Sequence, residues 1–235
     1  MKKNIVKKFF IFISLIFVST FLLCACEKNY YKLLLNNASE LRFNIFESDD
    51  DFVKVTFMSG KREEPYVSDG VANKLKDFGV FNVCFKSNIE LEEISFEAVI
   101  DGHTYSGVLE KNPYELNTYA QDIEVIVGSD SKIKLTYSLG EVGRSVELTN
   151  AMVDWQIDYL QAVKQASEEL KPFIENNIVN NKLNAEMYVK IAFDTQNKLK
   201  PYFWIVQLVN TNGESSQLVI DPVSKDVLVK TNAIS

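Results

Sequence analysis

Between residues 41 and 149, hydrophobic and polar side chains alternate with a period of two. Because a strand directs successive side chains to opposite faces, this alternation predicts β-strands that each bury one face. Turn residues, notably Gly128-Ser129-Asp130-Ser131, separate the alternating runs. The runs number about eight and lie at residues 41–45, 53–57, 81–85, 94–100, 103–109, 123–127, 133–137 and 146–148.

The clearest unit is a β-hairpin around Asp101-Gly102. These residues favour a type I′ turn, because both central positions of that turn need φ > 0. The turn fixes the register of the flanking strands and places one mostly apolar face against a core. The expected cross-strand pairs are Ile100 with His103, Ala98 with Tyr105, Phe96 with Gly107 and Ile94 with Leu109.

Strands in this number, joined by short turns, predict an antiparallel β-sandwich of immunoglobulin-like kind over residues 41–149. The cysteine and tryptophan hallmarks of antibody-type domains are absent from this segment. One stretch departs from the alternation, because Val71, Leu75 and Phe78 have helical spacing before Gly79. A short helix is expected there.

At Asn150 the apolar period lengthens to three and four, which is the spacing of a helix stripe. Asn150 is the expected N-cap, and Pro172 should end or kink the helix because it lacks an N–H. Strands are expected again at residues 187–193, 202–209, 218–220 and 227–229. The segment 150–235 therefore predicts a helix followed by a small four-stranded antiparallel sheet, and the whole chain an α+β protein.

The second segment resembles a PepSY domain in its aromatic-started strand at 202–208, its Asn212-Gly213 turn, its strand 218–221 and its closing 226–228. The resemblance implies a module that binds or restrains a peptidase or another envelope protein. The turn at residues 221–226 departs from the Asp-x-x-Thr-Gly-Glu pattern of that family. A cystatin-like domain has a similar element order and is the alternative fold.

The N-terminus has the pattern of a secretory signal, with four lysines in residues 1–8 and an almost wholly apolar run at 9–23. The run ends in Leu23-Cys24-Ala25-Cys26, which resembles the lipobox of bacterial lipoproteins. The resemblance implies a diacylglyceryl group on the Cys26 thiol and cleavage after Ala25. The alternative is an uncleaved anchor helix, but the run is shorter than the ~20 residues that cross a bilayer.

These features divide the chain into a signal peptide at 1–25, a lipidated tether at 26–40, the β-sandwich at 41–149 and the PepSY-like domain at 150–235. The expected location is the extracytoplasmic face of the cell membrane. The first 25 residues hold four of the 25 basic side chains and none of the 32 acidic ones, so the remainder carries a formal charge of −11. That charge argues against nucleic acid as a partner.

Candidate catalytic residues are few. His103 is the single histidine, no Gly-x-Ser-x-Gly elbow is present, and the hairpin register gives His103 a packing or turn-flanking role. Cys84 is the one cysteine left after Cys24 and Cys26, so no disulfide can form within the mature chain and a zinc site is not expected. The acidic loop at residues 47–51 lacks the EF-hand pattern and is expected to be solvated, although weak Ca²⁺ binding stays open.

Aromatic side chains near the second segment are expected to be structural, with Tyr202 and Trp204 in the core and Trp155 at the junction of the segments. No cofactor is expected. The hypothesis is a lipid-anchored, non-catalytic module that binds an extracytoplasmic protein, and the alternative is a lipoprotein that binds a solute or ligand. The last strand, at 227–229, is the expected sheet edge for a partner peptide.

Overall fold

The structure is a computed structural model that describes residues 29–89, 91–113, 115–193 and 202–234. Residues Tyr31–Ser235 form one compact unit. The helices are α1 (Tyr30–Leu35), α2 (Tyr159–Glu169) and α3 (Lys171–Asn176). The strands are β1 (Ala38–Asp49), β2 (Val53–Glu63), β3 (Leu75–Phe85), β4 (Glu93–Ile100), β5 (His103–Lys111), β6 (Thr118–Ile123), β7 (Ile133–Leu139), β8 (Val142–Asn150), β9 (Ile178–Val179), β10 (Lys182–Leu183), β11 (Ala185–Phe193), β12 (Tyr202–Asn210), β13 (Ser215–Ile220) and β14 (Val227–Ile234).

The first eight strands close into an antiparallel barrel. Neighbouring strands follow the order β1-β2-β3-β6-β5-β4-β7-β8, and β8 returns to pair with β1 at Phe46↔Asn150 and Glu47↔Thr149. The predicted β-sandwich is therefore wrong, because a sandwich has two open sheets whereas these strands form one closed ring. Closure gives every barrel strand a neighbour on both sides, although β5 pairs with β6 only at Glu110 and Lys111, and β8 with β1 only at Thr149 and Asn150.

The hairpin register predicted from Asp101-Gly102 is confirmed. β4 and β5 pair at Ile100↔His103 and Ile94↔Leu109, with φ of 48° at Asp101 and 84° at Gly102. The short helix expected at residues 71–78 is absent, since Leu75 and Phe78 lie in β3.

Aromatic and aliphatic side chains fill the barrel interior. Phe57 and Phe81 pack with ring centroids 4.4 Å apart, and Phe85 contacts both Tyr119 and Tyr137 edge-on. Gly79 makes room for this packing, because a Cβ there would lie 2.5 Å from the Phe57 ring. The buried cluster comprises Phe46, Val53, Val55, Phe57, Phe81, Val83, Phe85, Ile94, Phe96, Ala98, Ile100, Leu109, Tyr119, Val127, Ile133, Leu135, Tyr137 and Leu148.

Strand β1 belongs to the barrel and to a second group of strands at once. A register shift lies between Arg42 and Asn44, and it changes which neighbour β1 contacts. Before the shift β1 pairs in parallel with β11, and after it β1 pairs with β8. Gly60 faces this bulge, where a Cβ would collide with the Leu41 carbonyl oxygen.

Strands β11 to β14 extend the barrel sheet, and we call residues 151–234 the extension. They follow the order β14-β13-β12-β11 and join the barrel at β1, so the four strands and the eight barrel strands form one continuous sheet of 12 strands. The expectation of a separate PepSY-like or cystatin-like domain after a β-sandwich is therefore wrong, because the extension shares β1 with the barrel. Independent folding of the two segments on either side of residues 149–150 stays a prediction.

Helices α2 and α3 cover one face of the extension. Asp158, not Asn150, caps α2: its carboxylate accepts the Gln161 N–H at 2.8 Å and the Gln161 side chain accepts the Asp158 N–H at 2.9 Å. This reciprocal pair is a capping box. Asn150 instead ends β8 and accepts the Met152 N–H in a turn. The helix is interrupted at Leu170, between α2 and α3 and close to Pro172, so the predicted end or kink of the helix is confirmed.

Candidate functional site

Three features of the extension have functional potential: a groove around Trp155, a buried polar network against β1, and the outer edge of β14.

The groove lies where the chain leaves the barrel. It consists of two adjoining cavities of about 510 Å³ and 170 Å³ that share Trp155. Backbone N–H groups of Gln156 and Ile157 donate to the Pro222 carbonyl, which ties the segment after β8 to the turn between β13 and β14. We call these cavities the Trp155 groove. Its lining comprises Phe43, Asn44, Glu47, Ser129, Asn150, Ala151, Met152, Asp154, Trp155, Gln156, Ile157, Asp158, Tyr159, Gln161, Tyr202, Pro222 and Val223.

Trp155 is half-buried and held by other rings. Its indole packs edge-on against Trp204 at 5.2 Å and lies 6.3 Å from the Tyr202 ring. Trp204 is fully buried and its indole N–H donates to the Ile157 carbonyl at 3.2 Å. Phe43 and Tyr159 stack at 4.6 Å on the other side of the groove. Trp155 therefore lies at the junction, where the sequence placed it, and presents part of its ring to solvent.

The polar network joins β11 to β1. Glu186, fully buried, accepts hydrogen bonds from Ser39 Oγ at 2.7 Å and from the Gly70 N–H at 2.8 Å. On β1, Glu40 accepts from Arg42 Nε and from the Tyr66 hydroxyl, both at 2.6 Å. These carboxylates connect β1, β11 and the loop after β2, so they fix the extension to the barrel.

Charge balance in this network favours an ionised Glu40. Burial acts to raise the pKa of Glu40, but Arg42, the Tyr66 hydroxyl and Lys190 together outweigh burial and hold that pKa below its usual value. Lys190 lies 3.8 Å from Glu40, and burial lowers the Lys190 pKa despite that carboxylate. Arg42 is therefore the stronger counter-ion, and the network is built for stability.

Sequence reasoning missed this network. Glu186 and Lys190 alternate with apolar residues of β11, which in a sheet with one wet face predicts exposure. These side chains are buried or half-buried because the loop between β2 and β3 covers them. The alternation of hydrophobic and polar residues in β11 carries no information about that covering loop.

A third cavity, of about 290 Å³, is lined mainly by charged side chains next to this network. Most of its charges are paired: Arg62 with Asp122, Lys76 with Glu64, and Asp77 with the neighbouring Lys61. One buried oxygen, Glu63 Oε1, has no hydrogen-bond partner. Within the described ranges, no group of three or more His, Cys, Asp or Glu side chains is placed to hold a metal.

The edge of the sheet is β14. It pairs with β13 on one side and is the terminal strand of the order in the described part of the chain. Val227, Leu228 and Val229 are 36%, 36% and 44% exposed, which is unusual for three consecutive aliphatic residues. Register shifts flank the regular stretch from Val229 to Thr231. The predicted edge position of residues 227–229 is thus observed.

The predicted cleavage residue Ala25 and the predicted lipid-attachment residue Cys26 lie outside the described residues. Among the residues that are described, no helix is long and apolar enough to cross a membrane.

His103 and Cys84 lie on separate strands of the barrel. His103 is exposed beside the Asp101-Gly102 turn in β5, and Cys84 is a half-buried free thiol in β3. The described residues give neither side chain a hydrogen-bond partner of the kind that activates a nucleophile or base.

The acidic loop uses its carboxylates within the protein. Asp50 accepts the N–H groups of Phe52 and Val53 at 2.7 and 2.8 Å, and Asp49 pairs with Lys86 at 2.7 Å. Glu47 accepts from the Tyr202 hydroxyl and lies 3.3 Å from Lys54. Asp49, Asp50 and Asp51 are exposed, as expected for a solvated loop, although three of the acids at 47–51 also bind protein groups.

No protein-family model, curated protein or solved structure gives a significant match to this chain.

Proposed function

We propose that this chain is a lipid-anchored extracytoplasmic protein that binds a partner protein without catalysing a reaction, and that β14 is its binding element. The lipobox-like Leu23-Cys24-Ala25-Cys26 supports the anchor, and the acidic remainder of the chain argues against nucleic acid. The observation that carries the binding role is the unpaired outer side of β14 with three exposed aliphatic residues.

An unpaired strand presents alternating N–H and C=O groups that an extended peptide can satisfy by adding a strand. In β14 the regular stretch from Val229 to Thr231 is the part that can align with such a peptide, since bulges interrupt the pairing on both sides. Main-chain hydrogen bonds then provide affinity, and the exposed Val227 and Val229 side chains contact the side chains of the partner.

The binding role is tested by site-specific photo-crosslinking of the full chain in membranes. A benzophenone amino acid replaces Val229 in one variant and Val142 in another, because Val142 is an exposed valine on the barrel. The proposal predicts a discrete adduct from position 229 that is absent at position 142. Leu228→Pro should abolish the adduct by removing an N–H from β14, whereas Leu228→Thr should retain it.

Two results would contradict the binding role: adducts of equal yield from positions 229 and 142, or full yield from a well-folded Leu228→Pro chain. Circular dichroism on the purified Leu228→Pro chain establishes that the sheet is intact.

The anchor is tested independently with Cys26→Ser. The wild-type chain should incorporate a clickable palmitate analogue and sediment with membranes, and the variant should do neither or accumulate unprocessed. Equal lipid incorporation by both chains would show that the anchor assignment is wrong.

A further inference from the structure

The Trp155 groove has a chemistry of its own, distinct from the edge of β14. We propose that it binds a sugar ring of a neutral oligosaccharide, with the exposed part of Trp155 as the stacking surface. The inference is independent of the anchor and of the β14 binding element.

The aromatic side of the groove is rigid before any ligand arrives. Trp155 is held by Trp204 at 5.2 Å and Tyr202 at 6.3 Å, and Trp204 is itself fixed by its hydrogen bond to Ile157. Binding therefore requires little ordering of the tryptophan, which reduces the entropic cost of association. An indole face offers a flat apolar surface that matches the C–H face of a pyranose.

The polar side chains of the groove are also held in position by contacts within the protein. Asn44 donates its amide to the Val127 carbonyl at 2.6 Å, and Gln161 accepts the Asp158 N–H with its carbonyl at 2.9 Å. Each amide therefore keeps one end free: a carbonyl oxygen on Asn44 and an NH₂ on Gln161. A free acceptor and a free donor, each positioned by a protein contact, suit hydroxyl groups, which both donate and accept.

Two further side chains are available at the groove. Asp154 and Gln156 are exposed, and neither side chain has a hydrogen-bond partner in the part of the chain that the structure describes. They add one carboxylate and one complete amide to the groups that can reach a ligand hydroxyl.

The charged side chains around the groove distinguish between anionic, cationic and neutral ligands. No lysine or arginine lines either cavity, and Lys54, which lies over the Tyr202 ring beside the smaller one, is already paired with Glu47 at 3.3 Å, so an anionic ligand would find no unpaired cation in the lining. A quaternary ammonium ion prefers an aromatic cage with free carboxylates. Glu47 is already occupied by Tyr202 and Lys54, and Asp158 by the Gln161 N–H, so Asp154 is the one carboxylate of the lining without a partner in the described residues. The larger cavity is lined mainly by uncharged groups. The lining thus favours a neutral polyhydroxylated ligand.

The test is a saturation-transfer difference NMR titration of the full chain with maltotriose, cellotriose and chitotriose, and with tetramethylammonium chloride as the competing class. At least one trisaccharide should bind saturably, with the strongest transfer to its ring C–H protons. Trp155→Ala should weaken that binding about tenfold, the loss expected for one aromatic stacking partner. Gln156→Ala, which removes an exposed side chain, should weaken it less, and Gln121→Ala on the barrel should have no effect.

Trp155→Ala also removes a ring that packs on Trp204 and so can disturb the fold. Gln156→Ala removes an exposed side chain and tests the groove without that disturbance. The proposal is overturned if none of the three trisaccharides binds, if tetramethylammonium alone binds, or if both groove variants bind sugar as the Gln121→Ala control does.

Discussion

The barrel and the extension are parts of one sheet, yet they are stabilised in different ways. The barrel closes on itself, so all eight of its strands have neighbours on both sides and its interior is filled by apolar side chains. The extension attaches through a single parallel pairing of β1 with β11 and ends at β14, whose outer side is unpaired in the described part of the chain.

The seam between the two regions is polar where the barrel interior is apolar. Buried Glu40 and Glu186 are satisfied there by Arg42, Tyr66, Ser39 and a backbone N–H. A polar seam depends on every hydrogen bond being made, because an unsatisfied buried group costs about 1–3 kcal/mol. The barrel and the polar seam thus supply stability, while the extension supplies β14 and Trp155 for the proposed binding.

The largest effect is expected from the barrel interior. Phe57→Ala should lower the free energy of unfolding by about 3–5 kcal/mol, because it removes a fully buried ring that contacts Phe81. Val142→Ala, at a position that is 61% exposed, is the control and should change it by less than about 0.5 kcal/mol. Urea denaturation measures both values, and similar values for the two variants would contradict a packed barrel core.

A smaller effect is expected at the seam. Glu186→Gln keeps the side-chain shape but leaves one acceptor oxygen where the carboxylate offers two, one to Ser39 Oγ and one to the Gly70 N–H. Because one of these two hydrogen bonds cannot be made as in the wild type, we expect a loss of about 1–3 kcal/mol. Glu97→Gln, at an exposed position of β4, is the matched control. If the two variants unfold at the same urea concentration, the hydrogen bonds from Ser39 and Gly70 to the Glu186 carboxylate do not stabilise the fold.

Two tyrosines whose hydroxyls donate to carboxylates, the exposed Tyr66 and the buried Tyr202, predict a loss of stability at high pH. Burial, followed by the hydrogen bonds to Glu40 and Glu47, raises the pKa values of Tyr66 and Tyr202 in the folded chain. A raised folded-state pKa stabilises the protein fully below the unfolded value of about 10, and this contribution is lost as pH rises above it.

The double variant Tyr66→Phe, Tyr202→Phe should be less stable at pH 8 by about 1 kcal/mol per lost hydrogen bond and should lose less stability above pH 10. Unfolding free energies measured from pH 8 to 12 test this difference. Parallel curves for the wild-type and double-variant chains would show that these hydroxyls do not control the alkaline transition.

The smallest effect is expected from the single histidine and the single described cysteine. His103→Gln with Cys84→Ala should cost about 1 kcal/mol or less and leave the crosslink from position 229 unchanged, since these residues lie on β5 and β3, away from β14. A lost crosslink in a stable double variant would indicate a reactive role for one of them.

Local features of this fold were predictable from the sequence, and long-range ones were not. Alternation indicated the strands, and Asp101-Gly102 determined the register of its hairpin, because both signals act within a few residues. The pairing of Phe46 with Asn150 joins residues about 100 positions apart, and no local pattern encodes such a contact. Closure of the barrel was therefore missed.

The bulge in β1 explains a second error. The alternation at Leu41, Phe43 and Ile45 suggested one buried face, but the register shift between Arg42 and Asn44 rotates the strand. Phe46 consequently joins the barrel core, and Phe43 faces Tyr159 in the Trp155 groove. At the groove, the sequence identified Trp155 as a junction residue, whereas Asn44 lies 111 positions earlier in the chain and became its neighbour only through the fold.

Native-state hydrogen exchange on the full chain tests the contrast between barrel and extension most directly. Amides of the barrel strands should exchange only through global unfolding, and amides of β13 and β14 through an opening of lower free energy, because the extension has one seam and one unpaired edge. Glu186→Gln should lower the exchange free energies of amides in β11 to β14. The exchange free energies of the barrel amides should stay equal to the global free energy of unfolding of the variant. Equal exchange free energies across all strands, shifted equally by Glu186→Gln, would contradict the account.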